Sequence, residues 1–462
     1  MSHSRREFLR GTACALGGVA LASTVESLGL VGALARQSGA TDYRAMVCIF
    51  LSGGNDCNNT LVSLDQFTNY NSVRNSSGLA IAQGSFLPIS PTSGGSYGLH
   101  PSMTEFQTLF GQGRLAVVAN MGPLVEPLTR TTYQNGTGKK PLQLFSHSDQ
   151  VGLWQSAIAN NVSQTGWGGR TADKTGVLNG AASFPQMITI AGISLFVTGV
   201  TARPLAIADS NTALGNVLPL TMTGTSADSS ARRTAFDQIR ALDSNFKLVR
   251  AAADTRSGAL SARTALQSVS PVISQTFPNT SLGRQLLQVA RVIKASTDPV
   301  AGINMKRQIF FCSLGGFDTH SGQIAGQATL LQQLSQAMNA FYLATGELGL
   351  QDKVTTFTIS DFGRTFSPSG TGAGVVGSDH GWGSHHFVLG GAVTGGRLYG
   401  AYPTLALGGP DDADTRGRWI PSTSVEQYAA TLASWYGLSP SDYPAVFPLL
   451  DRFPSANLGF MG

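Results

Sequence analysis

The chain has 462 residues, 55 of them glycine, and only 12% are charged against a typical ~25%, which describes a large, loop-rich globular chain. A formal net charge of +5, with no basic run or helical basic stripe, excludes nucleic acid as a partner. The four cysteines, Cys14, Cys48, Cys57 and Cys312, show no CxxC spacing and exclude a disulfide scaffold.

The first element in chain order is a targeting segment. Ser4-Arg5-Arg6-Glu7-Phe8-Leu9 matches the twin-arginine pattern, a weakly apolar stretch follows from Gly11, and Ala33-Leu34-Ala35 is a small-x-small cleavage signal. Residues 1–35 therefore read as a signal peptide that engages the twin-arginine translocase, with a periplasmic or secreted destination. Glu26 interrupts the Gly- and Ala-rich run, so it spans a bilayer poorly, and no later segment reaches 18 apolar residues. No stable membrane span is expected after cleavage. Removal of the segment lowers the net charge to +4 and takes Cys14 and His3 with it.

Arg44-Ala-Met-Val-Cys-Ile-Phe-Leu51 is a nearly unbroken apolar run that ends in Ser52-Gly53-Gly54, the pattern of a strand buried on both faces in a central, mostly parallel sheet. Arg114–Ala119, Gln308–Cys312, Val354–Ile359 and His386–Leu389 read the same way, with Cys48 and Cys312 as buried small hydrophobes. Between the third and fourth strands Leu330, Leu334, Met338, Phe341 and Leu348 recur at helical spacing, which makes a βαβ crossover. Residues 225–300 are polar and helical in pattern, with Leu286, Val289, Ala290 and Ile293 on one face, and read as a helical insertion or cap. Thr423-Ser-Val-Glu426 has capping-box spacing for a last helix that Gly437 closes.

Chemistry-bearing residues gather at the ends of these strands. Asp318 and His320 follow Gly315-Gly316, where both can reach one ion at the C-terminal end of a parallel strand. Asp361 stands at the next strand end, in Ile359-Ser-Asp361-Phe-Gly-Arg364, and Asp56 at the first, in Ser52-Gly-Gly-Asn-Asp56. A Gly-rich loop carries Asp379, His380, His385 and His386, while His100 and His147 lie upstream. Ser146-His147-Ser148-Asp149 should open a helix, and a hydroxyl at a helix N-terminus gains from the dipole and the free N–H groups.

Together the motifs Leu51-Ser-Gly-Gly-Asn-Asp56, Leu99-His-Pro101, Ser146-His147, Gly315-Gly-Phe-Asp-Thr-His320, Ser360-Asp-Phe-Gly-Arg-Thr365 and Gly377-Ser-Asp-His-Gly-Trp-Gly383 resemble a widespread family of twin-arginine-exported bacterial proteins. That family, defined by a domain of unknown function, lies within the alkaline phosphatase and sulfatase superfamily, and the resemblance covers residues 44–455. It implies a three-layer α/β/α sandwich with two divalent metal ions at the C-terminal sheet edge and a hydroxyl that attacks phosphorus or sulfur. Carried over by position, Asp318 and His320 would bind one ion, with His380 or His385 completing it. Asp361 and Asp56 would bind the second, which Phe362 leaves short of a histidine unless the loop of Asp379 and His380 fills it. Ser146 and Ser148 both fit the nucleophile position, with Thr60 more distant. Arg364 is the clamp for a non-bridging oxygen, and Arg170 a weaker one better read as a surface residue. A mix of Asp and His suits Zn, Mn or Fe, and carboxylates alone suit Mg or Ca. The expected function is an exported metal-dependent hydrolase of a small anionic ester or of a sulfated or phosphorylated polymer. The alternative is a non-catalytic exported scaffold, or a metal-dependent anion- or polysaccharide-binding protein that retains the fold.

Overall fold

In the computed structural model the described residues are 40–218, 226–241, 247–267, 269–299, 301–372 and 374–462. The signal segment 1–35 lies outside them, as does part of the stretch 225–300. In chain order the elements are β1 (Arg44–Ser52), α1 (Cys57–Thr60), β2 (Leu61–Ser63), α2 (Phe67–Arg74), β3 (Leu87–Ile89), β4 (Tyr97–Leu99), α3 (Thr104–Gly111), β5 (Leu115–Gly122), α4 (Arg130–Gln134), α5 (His147–Ser156) and α6 (Trp167–Thr175). Then come β6 (Met187–Thr189), β7 (Pro204–Ala206), α7 (Ala227–Ala241), α8 (Lys247–Gln267), α9 (Ser281–Thr297), β8 (Arg307–Gly315), α10 (Gln323–Glu347) and β9 (Val354–Ser360). The chain closes with β10 (Arg364–Ser369), β11 (Gly377–His380), β12 (Ser384–Leu389), β13 (Leu398–Tyr399), β14 (Thr423–Ser424), α11 (Val425–Tyr436) and α12 (Tyr443–Val446).

The apolar runs are strands because both faces of the sheet are covered. On β1, Ala45, Val47, Ile49 and Leu51 enter one core while Met46, Cys48 and Phe50 enter the other. On β8, Phe310 and Cys312 enter the first core and Ile309 and Phe311 the second. A strand with only one covered face would alternate apolar with polar, and these do not. The first core is closed by α3, α9 and α10, through Phe106, Leu286, Val289, Leu334, Met338 and others. The second is closed by α5, α6 and α11, through Trp154, Trp167, Tyr428 and Leu432. The result is a three-layer α/β/α sandwich. Each large side chain removed from water contributes roughly 1.5–3 kcal/mol, so the two cores, more than helix propensity, hold the layers. Of the stretch expected as an insertion, α9 lies in the first layer, and α8 adds Ala262 and Leu266 to the same core.

The main sheet has the order β13-β5-β12-β9-β1-β8-β6-β7, with β14 also pairing β5. β1 lies between β8 and β9 and is parallel to both, so the β8–α10–β9 crossover passes over β1. β12 is antiparallel to β5 and to β9. This reversal brings the loop before β12 to the same sheet edge as the C-terminal ends of β1, β8 and β9. The β10–β11 hairpin occupies that edge, and its register places Arg364 opposite His380. No helix among the described residues is long and apolar enough to cross a membrane.

The last helix starts one residue later than the spacing predicts. Thr423 belongs to β14, and the capping box is Ser424 with Gln427. Glu426 is thereby drawn into the first turn and buried at 2% exposure. One of its oxygens accepts from the Leu449 N–H at 3.3 Å and the other has no partner. Burial pushes its carboxyl up to about 8 despite the Leu449 N–H and Arg170. Because the folded pKa exceeds the unfolded value of about 4.3, the folded chain holds the extra proton between these limits, and stability falls as pH rises through that window. Glu426→Gln is expected to be more stable than wild type at pH 8 by roughly 2–4 kcal/mol, with the advantage fading as pH approaches 4. Parallel thermal melts across pH 4–8 check this, and a gap that does not change with pH refutes it.

Candidate metal centre

The site is assembled from β8, β9, the β10–β11 hairpin and the N-terminus of α5. After β8 the chain turns at Gly316, φ 105°, and delivers Asp318 and His320. Gly53, φ 115° at the end of β1, lies so close to this turn that an added Cβ would stand 2.3 Å from the Asp318 nitrogen. Before α5, Phe145 holds φ 70°, a left-handed conformation costing a non-glycine residue about 1–2 kcal/mol. That strained residue precedes the turn into His147 and offers its carbonyl to His380.

Four ligand atoms meet. Those of His147, Asp318, His320 and His380 all lie within 4.8 Å of one another. Asp318 Oδ1 is 3.0 Å from His320 Nε2, 3.4 Å from His147 Nε2 and 3.8 Å from His380 Nε2. The Nε2 atoms of His320 and His380 are 3.0 Å apart. A tetrahedral ion with bonds of about 2.0–2.1 Å sets its ligand atoms roughly 3.3 Å apart, and the four distances above, 3.0–3.8 Å, lie around that value.

The outer ring nitrogens explain which way the imidazoles face. His147 Nδ1 donates to Asp361 Oδ2 at 2.7 Å. His380 Nδ1 donates to the Phe145 carbonyl at 2.8 Å. His320 Nδ1 lies 3.4 Å from Asp379 Oδ1. A carboxylate or carbonyl can only accept, so the contacts of His147 and His380 place the proton on Nδ1 and leave the Nε2 lone pair of each bare. Bare lone pairs facing one another and a carboxylate oxygen repel, and a cation between them removes the repulsion. His147 Nε2 is indeed buried without a hydrogen-bond partner. Around His380, burial together with His147, Arg364 and His320 outweighs the Phe145 carbonyl and lowers its pKa, which keeps the ring neutral and able to bind metal. Burial opposes the Asp318 carboxylate, but Arg364, His320 and His147 hold its pKa below the usual value.

Several residues named from sequence take other roles. Asp361 and Asp379 were expected as ligands; they stand behind the His147 and His320 imidazoles instead, and Asp361 Oδ1 also accepts from the Gly53 N–H at 2.9 Å. Asp56 does not join the group. It faces the buried Arg74, with contacts of 2.6 and 3.0 Å, caps α1 through the Asn58 N–H, and accepts from Gln323. Arg364 was expected to clamp a substrate oxygen, but its side chain has no exposure. It donates to the carbonyls of Ser378, Gly53 and Phe317 and to Asp318 Oδ1 at 3.0 Å, and so positions that ligand. Arg170, read as a surface residue, is buried and holds the carbonyls of Ser156, Thr165 and Val446. Thr60 is fully buried and donates to the Asp56 carbonyl and Asn55, so it is closed to a substrate.

His385 accepts from the Asn120 N–H and is held by burial at about 4, away from the group. Burial likewise holds His100 at about 4 and His386 at about 3, so these three rings serve the core and the other three converge. His147 is the member of the group missing from the metal set expected from the sequence, although the Ser146-His147 motif marked the place. Phe362, where the superfamily pattern has a histidine, stacks 4.7 Å from the His147 ring and 4.8 Å from the His380 ring and backs both. Ser146 occupies the N-cap position of α5 without a side-chain capping bond and donates to Asp149 Oδ2 at 2.6 Å, whereas the more exposed Ser148 lies 3.4 Å from the same oxygen.

Residues 43–414 match the family described as "Protein of unknown function (DUF1501)". The chain belongs to that family. No curated protein matches this DUF1501 chain. Among solved structures it is similar to the C-terminal periplasmic domain of EcEptC from Escherichia coli in complex with Zn, at 9% identity and a TM-score of 0.34, covering 90% of this chain and 88% of that one. It is similar to the PsFucS1 sulfatase from Pseudoalteromonas sp., at 9% identity and a TM-score of 0.30, covering 91% and 70%. It is also similar to the alkaline phosphatase from the Antarctic bacterium TAB5, at 10% identity and a TM-score of 0.27, covering 76% and 92%.

Proposed function

We propose that this DUF1501 chain is an exported, metal-dependent hydrolase of phosphate or sulfate esters. The observation that carries the metal half is the convergence of three imidazoles and one carboxylate, whose ligand atoms lie within 4.8 Å of one another, with His147 and His380 hydrogen-bonded from behind through Nδ1. Three imidazoles and one carboxylate favour Zn, Mn or Fe over Mg or Ca. The ester half rests on the motif resemblance to the alkaline phosphatase and sulfatase superfamily, and export rests on Arg5-Arg6 and the Ala33-Leu34-Ala35 cleavage signal.

His147, His320, His380 and Asp318 would hold the ion, and Arg364 keeps the Asp318 carboxylate aimed. When bound, the ion supplies positive charge that polarises the ester and favours a deprotonated oxygen. Ser146 is the nucleophile in this reading: it precedes the ligand His147, stands at the N-terminus of α5, and its hydroxyl proton already points at the Asp149 carboxylate. Asp149 can take the serine proton as the serine oxygen bonds phosphorus or sulfur and the bond to the ester alcohol breaks, the alcohol oxygen gaining a proton from solvent. When water then attacks, its proton passes to solvent and Asp149 returns its own to the serine oxygen as that bond breaks. Since Asp361 and Asp379 brace imidazoles, the reading uses one ion in this group.

The mature protein purified from the periplasm, subjected to element analysis and then offered aryl phosphates and aryl sulfates, is expected to carry about one transition-metal ion per chain. Turnover is expected to vanish with chelator and return with metal. No stoichiometric metal, and no turnover under any added divalent ion, refutes the reading. Metal without turnover favours the metal-dependent binding protein.

A further inference from the structure

The loop after β13 ends in Asp411-Asp412-Ala-Asp414-Thr-Arg416-Gly417-Arg418, and it is built more firmly than a surface loop requires. The fully buried Asp412 carboxylate accepts from four backbone N–H groups, those of Gly408, Asp414, Gly417 and Arg418, at 2.9–3.1 Å. Arg130 from α4 donates to the carbonyls of Asp412 and Asp414. The carbonyls of Arg416 and Gly417 accept from the Ser367 and Phe366 N–H groups of β10, at 3.0 and 3.1 Å. Gly417, φ 69°, lies so close to β10 that an added Cβ would stand 2.3 Å from Phe366 Cβ. Two arginines on either side of that glycine are thereby fixed against the hairpin that carries His380.

Both side chains reach the metal group's support. Arg416 Nη2 donates to Asp379 Oδ2 at 2.6 Å, behind His320. Its Nε and Nη1 donate to no acceptor among the described residues, and the side chain is 40% exposed. Arg418 Nε donates to the His380 carbonyl at 2.9 Å, Nη1 to Asp414, and the guanidinium stacks 4.3 Å over the Phe145 ring. Its Nη2 donates to no acceptor among the described residues. Within this connected set Asp318, Asp379 and Asp414 pair with the guanidiniums of Arg364, Arg416 and Arg418, and the Asp361 carboxylate pairs with the His147 imidazole, leaving one carboxylate more than guanidiniums. A divalent ion turns that balance positive. Arg364 is closed to solvent, whereas the side chains of Arg416 and Arg418 are 40% and 23% exposed.

We propose that Arg416 and Arg418 form the anion-recognising rim of the metal site, taking the oxygens of a tetrahedral phosphate- or sulfate-type group. The inference rests on the hydrolase reading and names the side chains that select its substrate class. Planar guanidiniums held in place beforehand lose little entropy on binding such a group.

The test is calorimetric titration of inorganic phosphate, and separately of inorganic sulfate, into the zinc-loaded mature protein, with zinc content measured on each sample. Wild type is expected to bind at least one of the two, and the tighter one names the ester class. Arg416→Gln and Arg418→Gln are each expected to weaken that binding about 10- to 100-fold at unchanged zinc content, with Arg416→Lys recovering part of the loss. Equal anion affinity in wild type and both Gln variants at equal zinc content overturns the rim and leaves the metal centre standing. So does a zinc-loaded wild type that binds neither anion. A protein that takes up no zinc, manganese or iron overturns the hydrolase reading and the rim together.

Discussion

His147→Ala is expected to lower metal affinity by more than about 100-fold and to abolish turnover, because it removes a ligand and opens the buried wall that Phe362 makes behind the ring. The effect of its brace is expected to be smaller and of a different kind. Asp361→Asn keeps the shape but takes away the carboxylate that holds the Nδ1 proton, so the ring is free to present the wrong nitrogen. Loss of such a partner costs about 10- to 100-fold in metal affinity. Metal titration of both variants, with competition by a chelator of known affinity, orders them: wild type tightest, Asp361→Asn intermediate, His147→Ala weakest. If His147→Ala retains wild-type affinity, His147 is not a ligand. If Asp361→Asn falls as far as His147→Ala, the carboxylate binds the ion directly, as the superfamily pattern implies.

The second large effect concerns stability. Asp56→Ala is expected to destabilise the fold by about 3–5 kcal/mol, the usual result of leaving one partner of a buried ion pair alone. Arg74 and Asp56 have no exposure, and the guanidinium also holds the carbonyls of Thr365 and Phe366 and the amide oxygen of Asn59. The stranded charge would sit beneath the β10–β11 hairpin. Removing both charges together, Asp56→Leu with Arg74→Met, is expected to be milder than Asp56→Ala alone. Denaturant melts measure the stabilities, and metal content of the folded fraction supplies the second readout. Metal lost from Asp56→Ala while its stability stays intact would restore Asp56 to the ligand set and sink the structural role.

The difference between Asp56 and Asp318 shows what a motif can and cannot carry. Both follow a buried strand and a pair of glycines. Nothing local distinguishes them, because the deciding partner of Asp56 is Arg74 on α2, and the deciding partners of Asp318 come from α5 and the hairpin. Arg364 follows the same rule. Its motif suited an anion clamp, but the hairpin register turns it inward toward the Ser378 carbonyl. His147 is the opposite case, a member of the candidate metal group supplied by a helix more than 150 residues before Asp318 in the chain.

By itself the sequence determined the central strands, the crossover helix α10 and the pairing of Asp318 with His320, because these depend on periods of two and 3.6 residues and on contacts within a few positions. It also marked the glycine turns at the strand ends, where only a residue without Cβ fits so near a neighbouring backbone. Tertiary structure decided the reversed direction of β12, the arrival of His147 and His380 at one point, and the division of four aspartates into one within the candidate metal group, two behind its imidazoles and one in a buried ion pair. The physical reason is reach. A carboxylate acts over about 3 Å, and which partner stands within that distance is set by how layers distant in the chain pack together.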